Sequence, residues 1–466
     1  MKRRNFITTT AGFTAGASLL SNPLAAAVNA GSKRRLVLVG TGSRGTSFWG
    51  KRIVDNYSDL VTFVGLCDIN PGRLELAKEY MGVQCPVYSD FDRMMAETKP
   101  DLVIVTTMDS NHDTYIIRSM ELGCDVLTEK PMTTDEVKCQ AILDAERRTG
   151  RKCLVGFNVR YATLPTAIKE LLVQKPIGKL TSVDLHWYLN VFHGASYFRR
   201  WHGERDKGGT LLVHKATHHF DMLNWLIDSD PVEVTAYGAL EHYGKNNPFR
   251  GANCRNCGYT DRCKFYWDIT KDQRSMKLYV ENEKYDGYIR DNCLWREEVD
   301  IFDRMSAQIV YANDVVVNYS LTTYSPYEGW RIAFNGMEGR IESWLDIPWR
   351  KQEKINQAAL HAAEMNQESR GEINHDEIFM MKNFEADYQM IKVEAARGGH
   401  GGGDARLQDF IFRDPGMPDP LKHSAGSRDG AMSCLIGIAA RKSIDERRTV
   451  KIEELTDIKP HPTRGA

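Results

Sequence analysis

The sequence lacks any marked excess of one charge. Its 61 Lys and Arg residues nearly cancel its 62 Asp and Glu residues, leaving a formal net charge of -1 at pH 7. This balance provides no basic field to attract nucleic acid and no acidic excess typical of disorder. We therefore expect a folded protein that binds a small molecule and no nucleic acid.

Long apolar runs and internal repeats are also missing. Beyond the N-terminal region, no segment reaches the roughly 18 to 20 apolar residues needed to cross a bilayer, so no membrane span is expected. The 466 residues suffice for two or three domains and a sizeable core.

Residues 1–30 have the composition of an export signal. A basic start precedes an apolar stretch rich in Thr, Gly and Ala, and small residues end it at Val28-Asn29-Ala30. The run Arg3-Arg4-Asn5-Phe6-Ile7 resembles a twin-arginine signal. We predict export to the periplasm by that route; the alternative is an ordinary secretory or lipoprotein signal, although the region contains no Cys.

A glycine-rich turn follows the first strand after the signal. The apolar run Leu36–Val39 leads into GTGSRG (residues 40–45), and a helical stretch follows at Thr46–Tyr57. A second strand then ends in Asp68, 23 residues past Gly45. A G-x-G-x-x-G pattern alone is weak evidence for dinucleotide binding, but this context is typical of a dinucleotide-binding βαβ unit.

The chemistry of that unit favours NAD. The glycines let the backbone approach a pyrophosphate, and Asp68 can accept hydrogen bonds from a ribose 2′-hydroxyl. A carboxylate would repel the 2′-phosphate of NADP. NADP stays a less favoured alternative, because Arg44 and Arg73 could attract that phosphate. The predicted cofactor-binding residues here are Gly40, Gly42, Ser43, Arg44, Gly45 and Asp68.

Alternating strands and helices continue to about residue 155, and their apolar strands are typical of a parallel sheet buried on both faces. We predict an α/β, doubly wound Rossmann domain over residues 33–155. From residue 156 to 466, strands with alternating polarity indicate an α+β domain with a large, mostly antiparallel open sheet. This second domain carries a polar, Cys-bearing insertion over residues 242–296.

Two further strand ends should face the nicotinamide, because ligands of such sheets bind at the carboxyl ends of the strands. The stretch VTTMDSNH contains Thr107 and ends in His112, and TEKP contains Glu129 and Lys130. The order of the glycine turn, Asp68, T-x-x-x-x-H and E-K-P resembles the Gfo/Idh/MocA oxidoreductases, which act mostly on sugars and polyols with NAD(P).

This resemblance spans nearly the whole chain after the signal and implies roles for several residues. It implies that Lys130 bonds the reacting hydroxyl, that His112 lies near the nicotinamide ribose, and that the second domain binds a carbohydrate and mediates assembly into a homo-oligomer. Thr107, His112, Glu129 and Lys130 complete the predicted cofactor contacts.

The stretch KGGTLLVHKATHHFDML (residues 207–223) resembles the family's second motif. Alignment on the paired glycines puts His218 and Asp221 on the motif's histidine and final aspartate, whereas His214 stands where an aspartate is usual. We predict that Lys130 and either His214 or His218 manage the hydroxyl proton, since an imidazole can accept a proton near neutral pH. His219 is expected to be structural.

A histidine at this place also resembles the NAD-dependent α-N-acetylgalactosaminidases, which share twin-arginine signals and a turn like GGHGGGD (residues 398–404). That resemblance implies a redox-neutral glycosidase that oxidises, eliminates, hydrates and re-reduces its substrate. A non-catalytic sugar- or nucleotide-binding protein is a further alternative, because fold does not dictate function. An exported enzyme has no pool of exchangeable cofactor, so either enzyme should hold NAD tightly.

Carbohydrate recognition is expected from aromatic and polar side chains around the open sheet. The candidate substrate-binding residues are Arg160, Tyr197, Lys215, Asp221, Tyr324, His400 and Asp404.

Four cysteines fall within the insertion, as Cys254-x2-Cys257-x5-Cys263 with Cys293 further on. They could hold a structural Zn or an iron–sulfur cluster, or form two disulfides in an oxidising compartment. We expect these cysteines to form a structural staple and not to take part in the chemistry, because the insertion is far in sequence from the nicotinamide strands.

Overall fold

The computed structural model describes residues 32–351, 356–366, 375–395 and 399–464. The predicted export signal, residues 1–30, lies outside these ranges. The predicted fold class is confirmed: a parallel Rossmann sheet is followed by a separate, mostly antiparallel sheet.

The first sheet has six parallel strands in the order β3-β2-β1-β4-β5-β6. Its strands are β1 (Arg34–Val39), β2 (Val61–Cys67), β3 (Val87–Tyr88), β4 (Leu102–Val105), β5 (Asp125–Thr128) and β6 (Cys153–Val155). Its helices are α1 (Ser43–Thr46), α2 (Arg52–Tyr57), α3 (Pro71–Met81), α4 (Phe91–Thr98), α5 (His112–Glu121) and α6 (Glu136–Thr149). The strand order reverses between β1 and β4, and this switch point opens a crevice at the carboxyl edge of the sheet.

The second sheet has nine strands in the order β14-β13-β12-β11-β7-β10-β9-β8-β15. Only β7 and β10 pair in parallel among the described strands of this sheet. The strands are β7 (Leu180–Asn190), β8 (Pro231–Ala239), β9 (Arg304–Tyr311), β10 (Val316–Ser325), β11 (Gly329–Gly336), β12 (Gly339–Leu345), β13 (His375–Lys382), β14 (Gln389–Glu394) and β15 (Val450–Lys451). Along β10 every second residue is buried, so one face of the sheet packs on the core.

The remaining helices cover that face or belong to the insertion and the tail. They are α7 (Thr163–Val173), α8 (Val191–Arg199), α9 (Arg205–Gly208), α10 (Leu211–His214), α11 (Ala216–Ile227), α12 (Gln273–Leu278), α13 (Glu283–Asp286), α14 (Pro348–Lys351), α15 (Gln357–Asn366), α16 (Gly403–Gln408) and α17 (Ser427–Glu446). Within the described ranges, none of the helices has the length and apolar character needed to traverse a bilayer.

Helix α17 joins the two domains. A Cβ atom at Gly437 would lie 2.3 Å from the carbonyl oxygen of Leu212, so the helix packs on α10 at backbone distance. Just before the helix, the carbonyl of Ala425 accepts a hydrogen bond of 3.0 Å from the backbone N–H of Val155 in β6. The two sheets are therefore held on either side of one crevice.

Candidate active site

A cavity of about 1020 Å³ lies between the carboxyl edge of the first sheet and the core face of the second. Its volume is at the upper end of the range of about 300–1,000 Å³ typical of ligand sites. Nine of the ten predicted cofactor-binding residues line it: Gly40, Gly42, Ser43, Arg44, Asp68, Thr107, His112, Glu129 and Lys130.

The glycine turn leaves room for a ligand at one position. Gly40 has φ +92°, a conformation that suits glycine, and a Cβ at Gly45 would lie 2.2 Å from the Gly40 carbonyl oxygen. A Cβ at Gly42, in contrast, would meet no atom within 4 Å. Gly45 thus serves strand–helix packing behind the cavity, whereas Gly42 leaves the cavity open where a pyrophosphate would approach.

Asp68 is fixed beside this turn. Its Oδ2 accepts hydrogen bonds from the backbone N–H (2.7 Å) and hydroxyl (2.9 Å) of Thr41. Arg73 lies 3.3 Å from the other oxygen of Asp68 and 2.5 Å from Asp286 of the insertion. The guanidinium of Arg73 is therefore paired with two carboxylates.

Glu129 and Lys130 follow β5; Glu129 is buried and Lys130 is half-buried. Glu129 accepts hydrogen bonds from Arg44 Nε (2.6 Å) and Trp49 Nε1 (2.7 Å). Burial would raise the pKa of Glu129, but the charges of Arg44 and Lys130 outweigh it and lower that pKa. Burial lowers the pKa of Lys130 to about 8, although the carboxylates of Glu129 and Asp109 oppose the shift. Lys130 is thus a lysine that can lose its proton near neutral pH.

His112 is held by the backbone beside Lys130. Its Nδ1 lies 2.8 Å from the carbonyl oxygen of Pro131, so a proton on Nδ1 is donated to that carbonyl. Burial lowers the pKa of His112, which keeps the imidazole neutral.

His214 lines the cavity and is paired with Asp109, a residue that the sequence reasoning missed. Asp109 Oδ2 lies 2.5 Å from His214 Nδ1, and both residues are buried. Burial, followed by the charge of Lys130, lowers the pKa of His214 well below its ordinary value, and burial raises that of Asp109. The carboxyl group therefore orients a neutral imidazole. Asp109 could have been identified as a site residue from its position three residues before His112, in the same strand-end stretch.

The other histidines of this stretch differ in their surroundings. His218 lines the cavity, and its ring centroid is 6.2 Å from that of Phe157. His219 is stacked on Trp187 at 3.7 Å, and its Nδ1 lies 2.8 Å from the hydroxyl of Tyr319. His219 lines the cavity as well, and these contacts fix the orientation of its ring. The sequence reasoning also missed His202, whose ring centroid is 4.1 Å from that of His214.

Lys215, Tyr197 and Asp404 also line the cavity. The Lys215 ammonium is 5.5 Å from the Trp187 ring centroid. The Tyr197 hydroxyl lies 3.1 Å from His193 Nε2. Asp404 accepts a hydrogen bond of 2.5 Å from Asn158 and is 3.8 Å from Arg44, so it adjoins the cofactor end of the cavity. His400 belongs to the turn Gly399–Gly402, and its side chain lies outside the described part of the chain.

Three residues proposed as substrate ligands do not line the cavity, and we correct their assignment. Arg160 and Asp221 form a buried bidentate ion pair, in which Arg160 Nε lies 2.7 Å from Asp221 Oδ2 and Arg160 Nη2 lies 2.5 Å from Oδ1. Tyr324 packs against His242 of the insertion at 4.8 Å between ring centroids. Each of these side chains is engaged by the protein itself, so their roles are structural.

Part of the insertion also lines the cavity, although the insertion is far in sequence from the nicotinamide strands. Residues between Lys264 and Arg290 line the same cavity. The Tyr279 hydroxyl accepts a hydrogen bond of 3.1 Å from the backbone N–H of Ser43, directly at the glycine turn. Sequence separation gave no indication that the chain folds back across the crevice here.

The four insertion cysteines, Cys254, Cys257, Cys263 and Cys293, surround a second, small cavity. None of them is disulfide-bonded, which corrects the disulfide alternative. In the described ranges, no group of three or more His, Cys, Asp or Glu side chains is arranged to hold a metal ion, so the Zn or iron–sulfur prediction gains no support. Cys254 Sγ instead accepts a hydrogen bond of 2.8 Å from Arg199.

Known proteins share both domains of this chain. Residues 34–157 match the model of an oxidoreductase family with an NAD-binding Rossmann fold, and residues 169–452 match the C-terminal α/β domain of that family. The Bacillus subtilis (strain 168) protein YteT, named as an oxidoreductase, is 35% identical over 442 residues, which cover 91% of this chain and 98% of YteT. An inositol 2-dehydrogenase of Klebsiella pneumoniae (strain 342) is 27% identical over 170 residues, which cover 36% of this chain and 48% of that enzyme.

Solved structures share the fold. Levoglucosan dehydrogenase, in complex with NADH and levoglucosan, has a TM-score of 0.62 at 16% identity and covers 90% of this chain and 100% of its own. Aldose–aldose oxidoreductase from Caulobacter crescentus, complexed with glycerol, has a TM-score of 0.58 at 16% identity with the same coverage of both chains. With its glycine turn, E-K-P strand end and second open sheet, the chain therefore belongs to the Gfo/Idh/MocA family of NAD-binding oxidoreductases.

Proposed function

We propose that the protein oxidises a CH–OH group of a sugar or sugar derivative, with Lys130 as the base. Lys130 carries this proposal, because this half-buried residue lines the cavity together with the glycine turn and the Asp109–His214 pair. A relative named as an inositol dehydrogenase and a structural neighbour complexed with levoglucosan support the substrate class.

The hydride and the hydroxyl proton are transferred to different groups. NAD, when bound, accepts the hydride from the carbon that bears the hydroxyl. Neutral Lys130 accepts the hydroxyl proton, and the oriented imidazole of His214 or that of His218 can relay it. Because Glu129 is ion-paired with Arg44, its carboxylate is held on the cofactor side of Lys130.

We expect the cofactor to be NAD, with NADP bound at least tenfold more weakly (~1.4 kcal/mol). The Asp68 carboxylate repels a 2′-phosphate, Arg73 is paired with Asp68 and Asp286, and Arg44 is paired with Glu129. Titration calorimetry on protein stripped of nucleotide measures both affinities. The variant Asp68→Ser should reduce the difference between the NAD and NADP affinities. Equal affinities for NAD and NADP in the unaltered protein would contradict the assignment of NAD as the cofactor.

The pH dependence of oxidation should report Lys130. Below pH 8 its ammonium form cannot accept a proton, and above pH 8 the neutral amine can. We expect kcat/KM for oxidation to rise about tenfold per pH unit below pH 8 and to level off above it. Steady-state rates between pH 6 and 10 measure this profile. A rate that falls as the pH rises through 8 would exclude Lys130 as the base.

A redox-neutral glycosidase is the second candidate, favoured by the His214–Asp109 pair at a position where an aspartate is usual. A non-catalytic binding protein is the third. One experiment separates them: the purified protein is denatured to identify released nucleotide, and the native protein is assayed with polyols plus NAD and with aryl glycosides without added NAD. Net production of NADH supports the dehydrogenase. Release of aglycone without net production of NADH supports the glycosidase. Bound nucleotide with neither reaction supports the non-catalytic binding protein. No nucleotide at all argues against both enzymes.

We also propose twin-arginine export to the periplasm, from the composition of residues 1–30, and a homo-oligomer. The β13–β14 hairpin exposes four large apolar side chains, each at least 45% accessible, which suit a subunit contact: Met381, Phe384, Tyr388 and Met390. Cell fractionation of an Arg3→Lys/Arg4→Lys variant tests the export proposal. Light scattering on the purified protein measures its mass and tests the oligomer proposal. Retained export in that variant, or a monomeric mass, would contradict them.

A further inference from the structure

The insertion reaches the glycine turn from the second domain. At its base, Arg199 donates hydrogen bonds to Cys254 Sγ and to the carbonyl of Phe265. At its far end, Arg274 Nη2 is 3.2 Å from Ser43 Oγ, and the Tyr279 hydroxyl accepts a hydrogen bond from the Ser43 N–H. The segment therefore bridges the cavity over the position where the pyrophosphate of a dinucleotide binds.

A second set of contacts fixes the insertion beside the Asp68 loop. The side-chain amide of Asn70 donates a hydrogen bond of 2.9 Å to the carbonyl of Asn282, and Arg73 pairs with Asp286. At Gly72 a Cβ would lie 1.8 Å from Asn282 Oδ1, so the two segments touch closely. The bridge is thus attached on both sides of the predicted cofactor groove.

The bridge brings buried positive charge to the cavity. Arg290 is only 8% exposed and lines the cavity, and among the described residues no carboxylate lies within ion-pair distance of it. Its guanidinium is 5.3 Å from the ring centroid of Trp267 and 5.6 Å from that of Tyr279.

Arg200 adds a second guanidinium, which donates a hydrogen bond of 2.9 Å to the carbonyl of Ser196. Burial lowers its pKa, and the charge of Arg290 lowers it further. A buried charge is normally paired. Buried Arg290 and half-buried Arg200 have no carboxylate within ion-pair distance in the described part of the chain, which indicates an anionic ligand. Arg is well suited to phosphate oxygens.

Tyr279 links this charge to the turn. A phenolic hydroxyl both accepts and donates. Because it accepts from Ser43, its own proton is left for a ligand oxygen.

We propose that the insertion forms the second half of the pyrophosphate site, in which Arg274, Tyr279 and Arg290 enclose the diphosphate of NAD against the glycine turn and retain the cofactor between turnovers. This inference rests on NAD as the proposed cofactor but not on the identity of the substrate. It gives a physical basis for a cofactor that does not exchange during catalysis.

The release rate of NADH tests the proposal without any turnover. Protein loaded with NADH is mixed with excess NAD, and the loss of bound-NADH fluorescence is followed. We expect Arg274→Met and Arg290→Met each to release NADH at least tenfold faster than the unaltered protein. Arg262→Met is the matched control, because Arg262 is an exposed arginine of the same insertion whose guanidinium lies 4.5 and 4.9 Å from the ring centroids of Phe249 and Tyr259.

Tyr279→Phe keeps the ring packing and removes only the hydroxyl, so it tests the proposal even if an arginine variant does not fold. We expect Tyr279→Phe to release NADH at least threefold faster than the unaltered protein. Unchanged NADH release in the folded variants would overturn the proposal. A raised substrate KM with unchanged NADH release would do so as well, because it would assign the arginines to an anionic substrate. Failure of the proposed oxidation would instead appear as absent turnover with NADH release still slowed by the insertion.

Discussion

Replacement of Lys130 with methionine is expected to lower kcat for oxidation by about 10³-fold while NAD remains bound. General acid–base catalysis by one positioned group typically contributes about 10²–10⁴-fold, and methionine retains the length of the side chain but cannot accept a proton. Burial has already lowered the pKa of Lys130 to about 8, so the neutral amine is the minor form at pH 7 and the major form above pH 8. His214→Ala is expected to abolish turnover as well, because it removes the imidazole that Asp109 orients.

Rapid mixing with NAD and substrate, followed at the absorbance of NADH, measures the loss at Lys130, and calorimetry verifies that NAD still binds. Lys152→Met is the control: this exposed lysine precedes β6 at the opposite edge of the same sheet. Near-normal rates for Lys130→Met would show that another group takes the proton. Loss of NAD binding together with activity would assign Lys130 to the cofactor instead.

The Rossmann domain could be predicted from the sequence because its determinants are local. Apolar strands, the glycine turn and Asp68 lie within about 35 residues of one another, and each imposes its conformation without distant partners. The same holds for strand β10, whose alternating polarity is local as well. The cavity residues taken from strand ends, Thr107 to Lys130, follow from the common edge of a parallel sheet.

The remainder of the site depends on distant contacts. Asp109 could be seen as a strand-end carboxylate, but its partner His214 is 105 residues away. Nothing in the spacing of the insertion indicated that Tyr279 would reach Ser43, 236 residues earlier. The motif around His218 also suggested a common function for its charged residues, whereas the structure separates a cavity histidine from the buried carboxylate of Asp221. A motif specifies neighbours in sequence, and burial decides which of them meet a ligand.

Asp221 provides the second large expected effect, on stability. We expect Asp221→Ala to reduce the free energy of unfolding by about 3–5 kcal/mol, the range measured when one partner of a buried ion pair is removed. Both Asp221 and Arg160 are 1% exposed, and the pair is bidentate. Arg160 also donates to the carbonyls of Lys422 and Ser424 at 3.3 Å, so the pair ties α11 to the segment before α17.

Chemical denaturation followed by circular dichroism measures this loss, and two variants make it specific. Asp92→Ala removes another bidentate pair, with Arg118, whose side chains are 55% and 43% exposed; it should cost under about 1 kcal/mol because solvent screens the charges. The double replacement Arg160→Met/Asp221→Leu should be less destabilising than Asp221→Ala, because it leaves no unpaired charge in the interior. If Asp221→Ala were as stable as the unaltered protein and raised only the substrate KM, Asp221 would be a substrate ligand after all, as its place in the motif suggests. The expected result is the reverse: a large loss of stability, with substrate KM unchanged in the fraction that remains folded.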